Sequence, residues 1–323
     1  MRALICDDYG GIDSLRIGEL PDPEPTPGSI LIDVAAASVS FADSLMVSGL
    51  YQFKPTPPFA PGYEVAGTVV LADDDVGFSP GDRVCGFLFH GGIAEQAVVD
   101  ASKAARLPEE VSFEVGAVIP ATYGTSYHAL VDRASLVEGE TLLVLGAAGG
   151  VGLAAVEIGD ALGARVIAAV SSDDKAEVVL SNGADDVIRY DEVPLREGID
   201  AATEGKGVDV VYDPVGGEMT EAALRSTRWG GRLLVVGFAA GEIPAISMNL
   251  PLLKGVSLVG VFWGRFSNEE AERSAENTRR LIRWVQEGRL RPVIDRRFDL
   301  DHGAEALAWV AGRKAKGKVL VLP

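Results

Sequence analysis

Thr141-Leu142-Leu143-Val144-Leu145-Gly146-Ala147-Ala148-Gly149-Gly150-Val151-Gly152, continued by the apolar stretch Leu153–Leu162, is the segment whose reading decides the fold. The apolar run predicts a buried strand, and the glycine cluster at its end predicts a tight turn into a helix. Glycines let the backbone approach a pyrophosphate closely, and the helix amino end behind such a turn offers unpaired N–H groups and a favourable dipole. A glycine-rich hexapeptide by itself is weak, and a merely tight structural turn is the competing reading. At a strand-to-helix junction inside a βαβ unit the same glycines are a strong dinucleotide signal. Gly146, Ala148, Gly149, Gly150 and Val151 are the expected cofactor contacts on this turn.

The next strand, Arg165–Val170, behaves as the motif requires and ends in Ser171-Ser172-Asp173-Asp174-Lys175. NAD-preferring sites place an acid at that strand end to hold the ribose 2′-hydroxyl. Here Ser171 stands there with Lys175 a helical turn later, a hydroxyl and a cation suited to a 2′-phosphate. NADPH is the expected cofactor. Asp173 and Asp174 leave a second possibility, holding the ribose themselves, although capping of the next helix suits one of them better.

Outward from this unit the alternation continues. Strands are expected at Asp186–Ile188, Val208–Tyr212, Arg232–Val236 and Ser257–Val261, with helices at Gly150–Leu162, Asp174–Ser181 and Glu218–Ser226. Apolar strands alternating with helices imply a doubly wound parallel sheet. The first third has a different texture: short strands at Ile30–Val34, Val65–Leu71, Arg83–Phe89 and Ala94–Val99, separated by Pro- and Gly-rich turns. That pattern predicts a compact, partly open barrel. Helical spacing appears over Phe113–Ile119 and Ser126–Arg133. It returns over Asn268–Glu287, with acids early and arginines late as the helix dipole prefers. Arg297–Leu300, a helix over Gly303–Ala311 and a strand over Lys318–Leu322 close the chain. This tail is expected to rejoin the first domain. The organisation is thus an α/β chain with a doubly wound parallel-sheet domain at 122–264 and a discontinuous β-rich domain at 1–121 and 265–323.

Bulk properties narrow the partners. A formal charge of −18 disfavours a nucleic-acid surface, which needs clustered cations. The basic run Arg313, Lys314, Lys316, Lys318 reads equally well as a solvated charge run or as a local anion contact. No stretch approaches the roughly 20 apolar residues of a membrane span. Only Cys6 and Cys85 occur, the amino-terminal apolar run stops at Asp7 and Asp8, and a reduced cytoplasmic protein is the expectation.

Several segments together carry a family resemblance: Ala37-Ser38-Val39-Ser40-Phe41-Ala42-Asp43 with Ser48-Gly49-Leu50-Tyr51, Pro61–Val69, Gly77–Val84, the turn at 146–152, Ser181–Ile188 and Asp213-Pro214-Val215-Gly216-Gly217. The chain resembles the zinc-independent quinone oxidoreductase group of the medium-chain dehydrogenase/reductase superfamily over essentially its whole length. The resemblance implies a GroES-like catalytic domain made from both chain ends, a Rossmann domain between them, the cofactor in the cleft and a homodimer. It places Thr125 near the nicotinamide half of the cofactor and Lys175, Tyr190 and Arg313 around the adenosine 2′-phosphate. Gly237, Phe262 and Trp263 would line the nicotinamide pocket.

Zinc-dependent relatives hold a catalytic metal through Cys and His and a structural metal through four cysteines. Two cysteines in total exclude the four-cysteine site. Ser40 stands where the family's catalytic cysteine would, and Tyr63 replaces the histidine. His90, His128 and His302 lie at no ligand spacing, with packing or surface roles expected for His128 and His302; no metal is expected. A metal-free pocket suits acceptors that are already electrophilic, such as quinones or α,β-unsaturated carbonyls. Tyr51 is the preferred side chain to orient the acceptor oxygen or relay a proton, with a rim aromatic as the alternative. Ser40 and Asp43 either polarise the site or stabilise the loop, the loop role being favoured for Asp43. Tyr63 is expected to pack or line the cleft, Glu64 to pair inside the catalytic domain, and both cysteines to act as small core residues. Two other functions stay open: an enoyl-thioester reductase acting on a short acyl-CoA, and a non-catalytic NADPH-binding protein.

Overall fold

The computed structural model describes residues 1–323 and divides into two compact units. Met1–Gly124, Gly264–Gly288 and Pro292–Pro323 form one; Thr125–Trp263 and Arg289–Arg291 form the other. The chain opens with an antiparallel pair, β1 (Arg2–Ile5) and β2 (Arg16–Glu19). It continues through β3 (Ser29–Val39), β4 (Glu64–Ala72), β5 (Arg83–Phe87), β6 (Gln96–Asp100) and β7 (Ala104–Arg106).

The long β3 is the pivot of the first unit. Its early residues pair with β6 and its last residues with a returning strand, while β4 lies along the other edge. Register shifts at Leu31/Ile32 and Val34/Ala36 let one strand do this, because a bulge bends and twists the strand that carries it. The buried side chains of Ile30, Ile32, Val34 and Val39 meet Leu4, Met46, Phe59 and Ile93 in the core. Cys6 and Cys85 are both buried free thiols.

The second unit carries β8 (Thr141–Leu145), β9 (Arg165–Val170), β10 (Asp186–Arg189), β11 (Val208–Asp213), β12 (Thr227–Val235) and β13 (Ser257–Gly260). All pair in parallel, in the order β10-β9-β8-β11-β12-β13. This is the doubly wound Rossmann arrangement, and its strand order reverses between β8 and β11. The short amphipathic helix Leu195–Ala202 was not among the expected elements. It is two turns long and buries Leu195 and Ile199, an i, i+4 pair on one face.

The chain then returns to the first unit. The expected helix Asn268–Glu287 is two helices, Trp263–Glu269 and Ala271–Gln286. The break at Glu270 opens a fresh helix amino end next to Glu270 and Glu272, where acids are stabilised by the dipole. Finally β14 (Ile294–Asp299) and β15 (Lys318–Leu322) complete the first sheet, in the order β14-β15-β3-β4-β5-β7 with β6 on β3. No helix is long and apolar enough to cross a membrane.

Candidate functional site

In the parallel-sheet unit the glycine turn leaves the carboxyl end of β8 at the point of strand reversal, where open α/β sheets bind ligands. Gly146 has a φ of 58°, and a Cβ on Gly152 would lie 2.3 Å from the Gly146 carbonyl oxygen. Glycine at 152 is therefore what lets the turn close onto its own helix. The helix Gly150–Ala161 has Gly149 as N-cap and no side chain bonded to its first N–H groups. Those donors and the dipole behind them suit an anion.

The turn after β11 faces the same reversal point. Asp213 is buried; its Oδ1 accepts N–H bonds from Val215 and Gly216 at 2.9 Å each, and its Oδ2 accepts from Thr220 at 2.6 Å. The carboxylate thereby fixes the Asp213–Gly217 turn. Ser126 Oγ donates to the Val151 carbonyl at 2.8 Å and receives the phenol of buried Tyr212 at 2.8 Å. That bond ties the short helix Gly124–Tyr127, and Thr125 within it, to the glycine turn. Sequence reasoning quoted the Asp213 segment but missed the Ser126–Tyr212 link, which spans 86 residues and has no local signature.

At the neighbouring strand ends the register pairs Arg189 with Val170, so Ser171, Lys175 and Tyr190 gather at one end of the sheet. Lys175 Nζ lies 3.2 Å from Ser171 Oγ. Tyr190 packs partly buried against the core and donates its N–H to Val170. Neither acid caps the following helix: its N-cap is Ser172, whose hydroxyl bonds Asp174, while Asp173 pairs with Arg189. Arg189 also pairs with Asp191 at 2.7 Å and Glu192 at 3.1 Å, a cation beside the site that the sequence reading did not single out. Gly237 follows β12 and donates its N–H to the Asp213 carbonyl. Phe262 is exposed and Trp263 buried. Arg313 lies in the other unit, exposed, with a φ of 56° just past the helix Gly303–Ala311.

The first unit holds a buried polar centre. Glu64, fully buried on β4, accepts Ser38 Oγ at 2.8 Å, the hydroxyl of Thr122, and the N–H groups of Ala121 and Thr122 at 3.0 Å each. Lys318 Nζ lies 3.2 Å from the same carboxylate and donates to Ser40 Oγ at 2.6 Å. The end of the basic run is thus buried rather than solvated: Lys318 is 5% exposed. Asp43 accepts the Ser40 N–H at 2.8 Å and the Gly62 N–H at 2.9 Å, holding the helix Phe41–Val47 to the β4 approach. Burial pushes its carboxyl up to about 6 against the pull of those two N–H bonds and Lys318. Burial, reinforced by Asp43 and Glu64 and opposed by Ser40, holds the Tyr63 phenol well above the ordinary range. Tyr51 is partly buried and raised for the same first reason, with Asp43 adding to it.

An aromatic wall leads away from this centre. Tyr63 meets Phe87 edge-on at 6.2 Å, Phe87 meets Phe89 at 5.1 Å, and Phe53 lies 4.9 Å from Phe89 and stacks on His90 at 6.2 Å. His128 instead packs inside the other unit against Asp132 at 2.8 Å, and exposed His302 pairs with Asp299.

Comparison with known proteins bears on this arrangement. Residues 26–109 match the alcohol dehydrogenase GroES-like domain model, and residues 150–281 match the zinc-binding dehydrogenase model. Quinone oxidoreductase-like protein 2 of Bos taurus is 38% identical over 99% of this chain and 92% of its own length. A mycobacterial protein solved in complex with NADPH superposes with a TM-score of 0.94 at 31% identity, covering 100% of both chains. The Escherichia coli quinone oxidoreductase complexed with NADPH gives 0.92 at 28% identity, also over 100% of both. With both domain models matched and relatives of this similarity spanning its length, the chain belongs to the quinone oxidoreductase group of the medium-chain dehydrogenase/reductase superfamily.

Proposed function

We propose that the chain is an NADPH-dependent reductase that works without zinc and passes hydride to a quinone or another α,β-unsaturated carbonyl. The observation that carries the reading is the uncapped helix amino end behind the glycine turn, with Ser171 and Lys175 at the adjoining strand end. Residues 122–264 serve as the dinucleotide-binding domain, and residues 1–121 and 265–323 as the catalytic domain. Gly146, Ala148, Gly149, Gly150 and Val151 receive the pyrophosphate; Ser171, Lys175 and Tyr190 take the 2′-phosphate. The assignment of Arg313 to that phosphate rests on the resemblance alone. Thr125, Gly237, Phe262 and Trp263 are assigned to the nicotinamide half.

The residues present do not fit zinc. A zinc site needs thiolate, imidazole or carboxylate donors, whereas Ser40 and Tyr63 are neutral hydroxyls and Ser40 Oγ already accepts from an ammonium. A divalent ion there would face the Lys318 charge at close range. Bound NADPH supplies hydride, and the protein contributes alignment and exclusion of water. Tyr51 orients the acceptor oxygen by donating a hydrogen bond, its phenol staying protonated at neutral pH. The wall of Phe87, Phe89, Phe53 and His90 suits a flat conjugated ring, which favours a quinone.

The protein is further proposed to act as a cytoplasmic homodimer on a small electrophile. The free edge of β13, with exposed Trp229, Met248, Leu252 and Leu253 on the same unit, offers the surface for a second copy. Stopped-flow oxidation of NADPH against quinones, enones and enoyl-CoA esters tests the reading. Turnover with quinones or enones, unaffected by chelator, is expected. Turnover with enoyl-CoA alone establishes the thioester reductase instead, and tight NADPH binding without turnover establishes a non-catalytic protein.

A further inference from the structure

The carboxyl end of β9 is where the strand after a dinucleotide turn meets the adenosine ribose. The segments that leave β9 and β10, 171–175 and 189–192, set four acids against two cations: Asp173, Asp174, Asp191 and Glu192 against Lys175 and Arg189. Such a group repels a 2′-phosphate carrying close to two negative charges unless its acids are neutralised locally. Asp174 accepts the Ser172 hydroxyl, and Asp173 is paired with Arg189. Arg189 ends β10 in register with Val170, the residue before Ser171. Its guanidinium is shared: Nε and Nη2 donate to the two oxygens of Asp191 at 2.8 and 2.7 Å, Nη2 lies 3.1 Å from Glu192, and Nη1 reaches Asp173. The Arg189 side chain is 17% exposed, whereas that of Asp173 is 91% exposed. Asp191 thus fixes one edge of the arginine, and the other edge tethers an acid that stands in solvent. That acid lies two residues from Ser171 and two from Lys175.

We propose that Arg189 is a specificity-determining residue: by tethering Asp173 it keeps that carboxylate from the adenosine ribose and leaves the site open to a 2′-phosphate. The inference rests on the assignment of Ser171 and Lys175 to the 2′-phosphate made above. An acid at this strand end acts on cofactor choice in two ways. It accepts a hydrogen bond from a ribose 2′-hydroxyl, which favours NADH, and it repels a phosphate at the same position, which disfavours NADPH. Asp173 has the chemistry for both effects. Arg189 opposes both, because it engages the Asp173 Oδ1 and offsets the charge of the carboxylate. Discrimination at this strand end therefore comes from suppressing an acid as well as from supplying Lys175.

The test measures NADPH and NADH affinity of the full chain by titration calorimetry. It compares wild type with Arg189→Gln, Arg189→Lys, Asp173→Asn and the double variant Arg189→Gln/Asp173→Asn. Ion pairs with exposed acids add little to stability, so the fold should tolerate each change. Arg189→Gln releases Asp173 and should raise the Kd for NADPH by about 5- to 10-fold, the repulsion of one carboxylate and a dianion about 7 Å apart in a water-like medium. The Kd for NADH should stay level or fall. Adding Asp173→Asn to Arg189→Gln should recover most of the NADPH loss, a larger effect than the same change makes in the wild type. Arg189→Lys keeps the charge and should hold most of the preference for NADPH. The Arg189→Gln loss should also shrink as salt is raised, because exposed charges are screened. Equal weakening of both nucleotides by Arg189→Gln overturns the inference, since a merely structural arginine gives that result. So does a double variant that fails to recover most of the NADPH loss, which would place the effect on the phosphate directly or on Asp191 and Glu192. A wild type that binds NADH as tightly as NADPH, with Lys175→Ala weakening both alike, overturns the 2′-phosphate assignment instead.

Discussion

Replacing Asp43 with asparagine should make the protein less dependent on pH. Asp43 is fully buried, and burial raises its carboxyl to about 6 from an ordinary value of 3.8, outweighing the N–H bonds from Ser40 and Gly62 and the charge of Lys318. Between those two values the folded chain binds more protons than the unfolded chain. Stability must therefore fall as pH rises through this window, the reverse of a salt-bridged aspartate. The shift corresponds to about 3 kcal/mol in full, with roughly half of it falling between pH 5 and 8. The asparagine of the Asp43→Asn variant does not ionise, but its amide NH₂ must face one of two N–H donors, which costs about 1–3 kcal/mol at every pH. The stability difference between variant and wild type should thus move by about 1 kcal/mol in the variant's favour from pH 5 to pH 8. Urea unfolding midpoints of both proteins across that range measure it, since other titrating groups cancel in the difference. Parallel pH curves, or a wild type gaining on the variant as pH rises, would refute the dominance of burial over the N–H bonds and Lys318.

Lys175→Ala should weaken NADPH by about 10- to 100-fold, the worth of one charge-assisted hydrogen bond, and spare NADH. Titration calorimetry with both nucleotides checks this, and equal loss for both removes the 2′-phosphate role. Gly152→Ala forces a Cβ to within 2.3 Å of the Gly146 carbonyl oxygen and should lower both NADPH affinity and Tm. Gly149→Ala, whose Cβ would sit at 3.4 Å, should leave Tm much closer to wild type, and equal melting of the two variants contradicts the steric account. Leu252→Glu combined with Leu253→Glu should turn a dimer of the 33.9 kDa chain into a monomer by light scattering. A dimer that survives both charges places the interface elsewhere.

Much of the fold was legible because its determinants are local. The apolar run Leu142–Leu145, the glycines after it and the Ser171–Lys175 spacing all act within one βαβ unit, where strand burial, turn geometry and helix amino end follow from neighbouring residues. The helix Leu195–Ala202 carries its i, i+4 apolar pair over only two turns, a window shorter than the sequence reading used, and the break at Glu270 was missed because continuous helical spacing hides a change of backbone conformation. One of Asp173 and Asp174 was expected as the cap because a local rule ranks Asp and Ser alike; the N-cap is Ser172, and the partner that claims Asp173 is Arg189, on the next strand.

The sequence by itself therefore determined the parallel sheet, the dinucleotide turn and the absence of four cysteines for a structural metal. Only the tertiary structure decided what surrounds Ser40. Ser40 and Lys318 are 278 residues apart, and Glu64 joins them through a strand and a helical segment that meet only on folding. A lysine after glycine in a basic run looks solvated from its neighbours. Its burial is a property of the sheet, since β15 pairs with β3 and brings the ammonium to a carboxylate that desolvation would otherwise leave uncompensated.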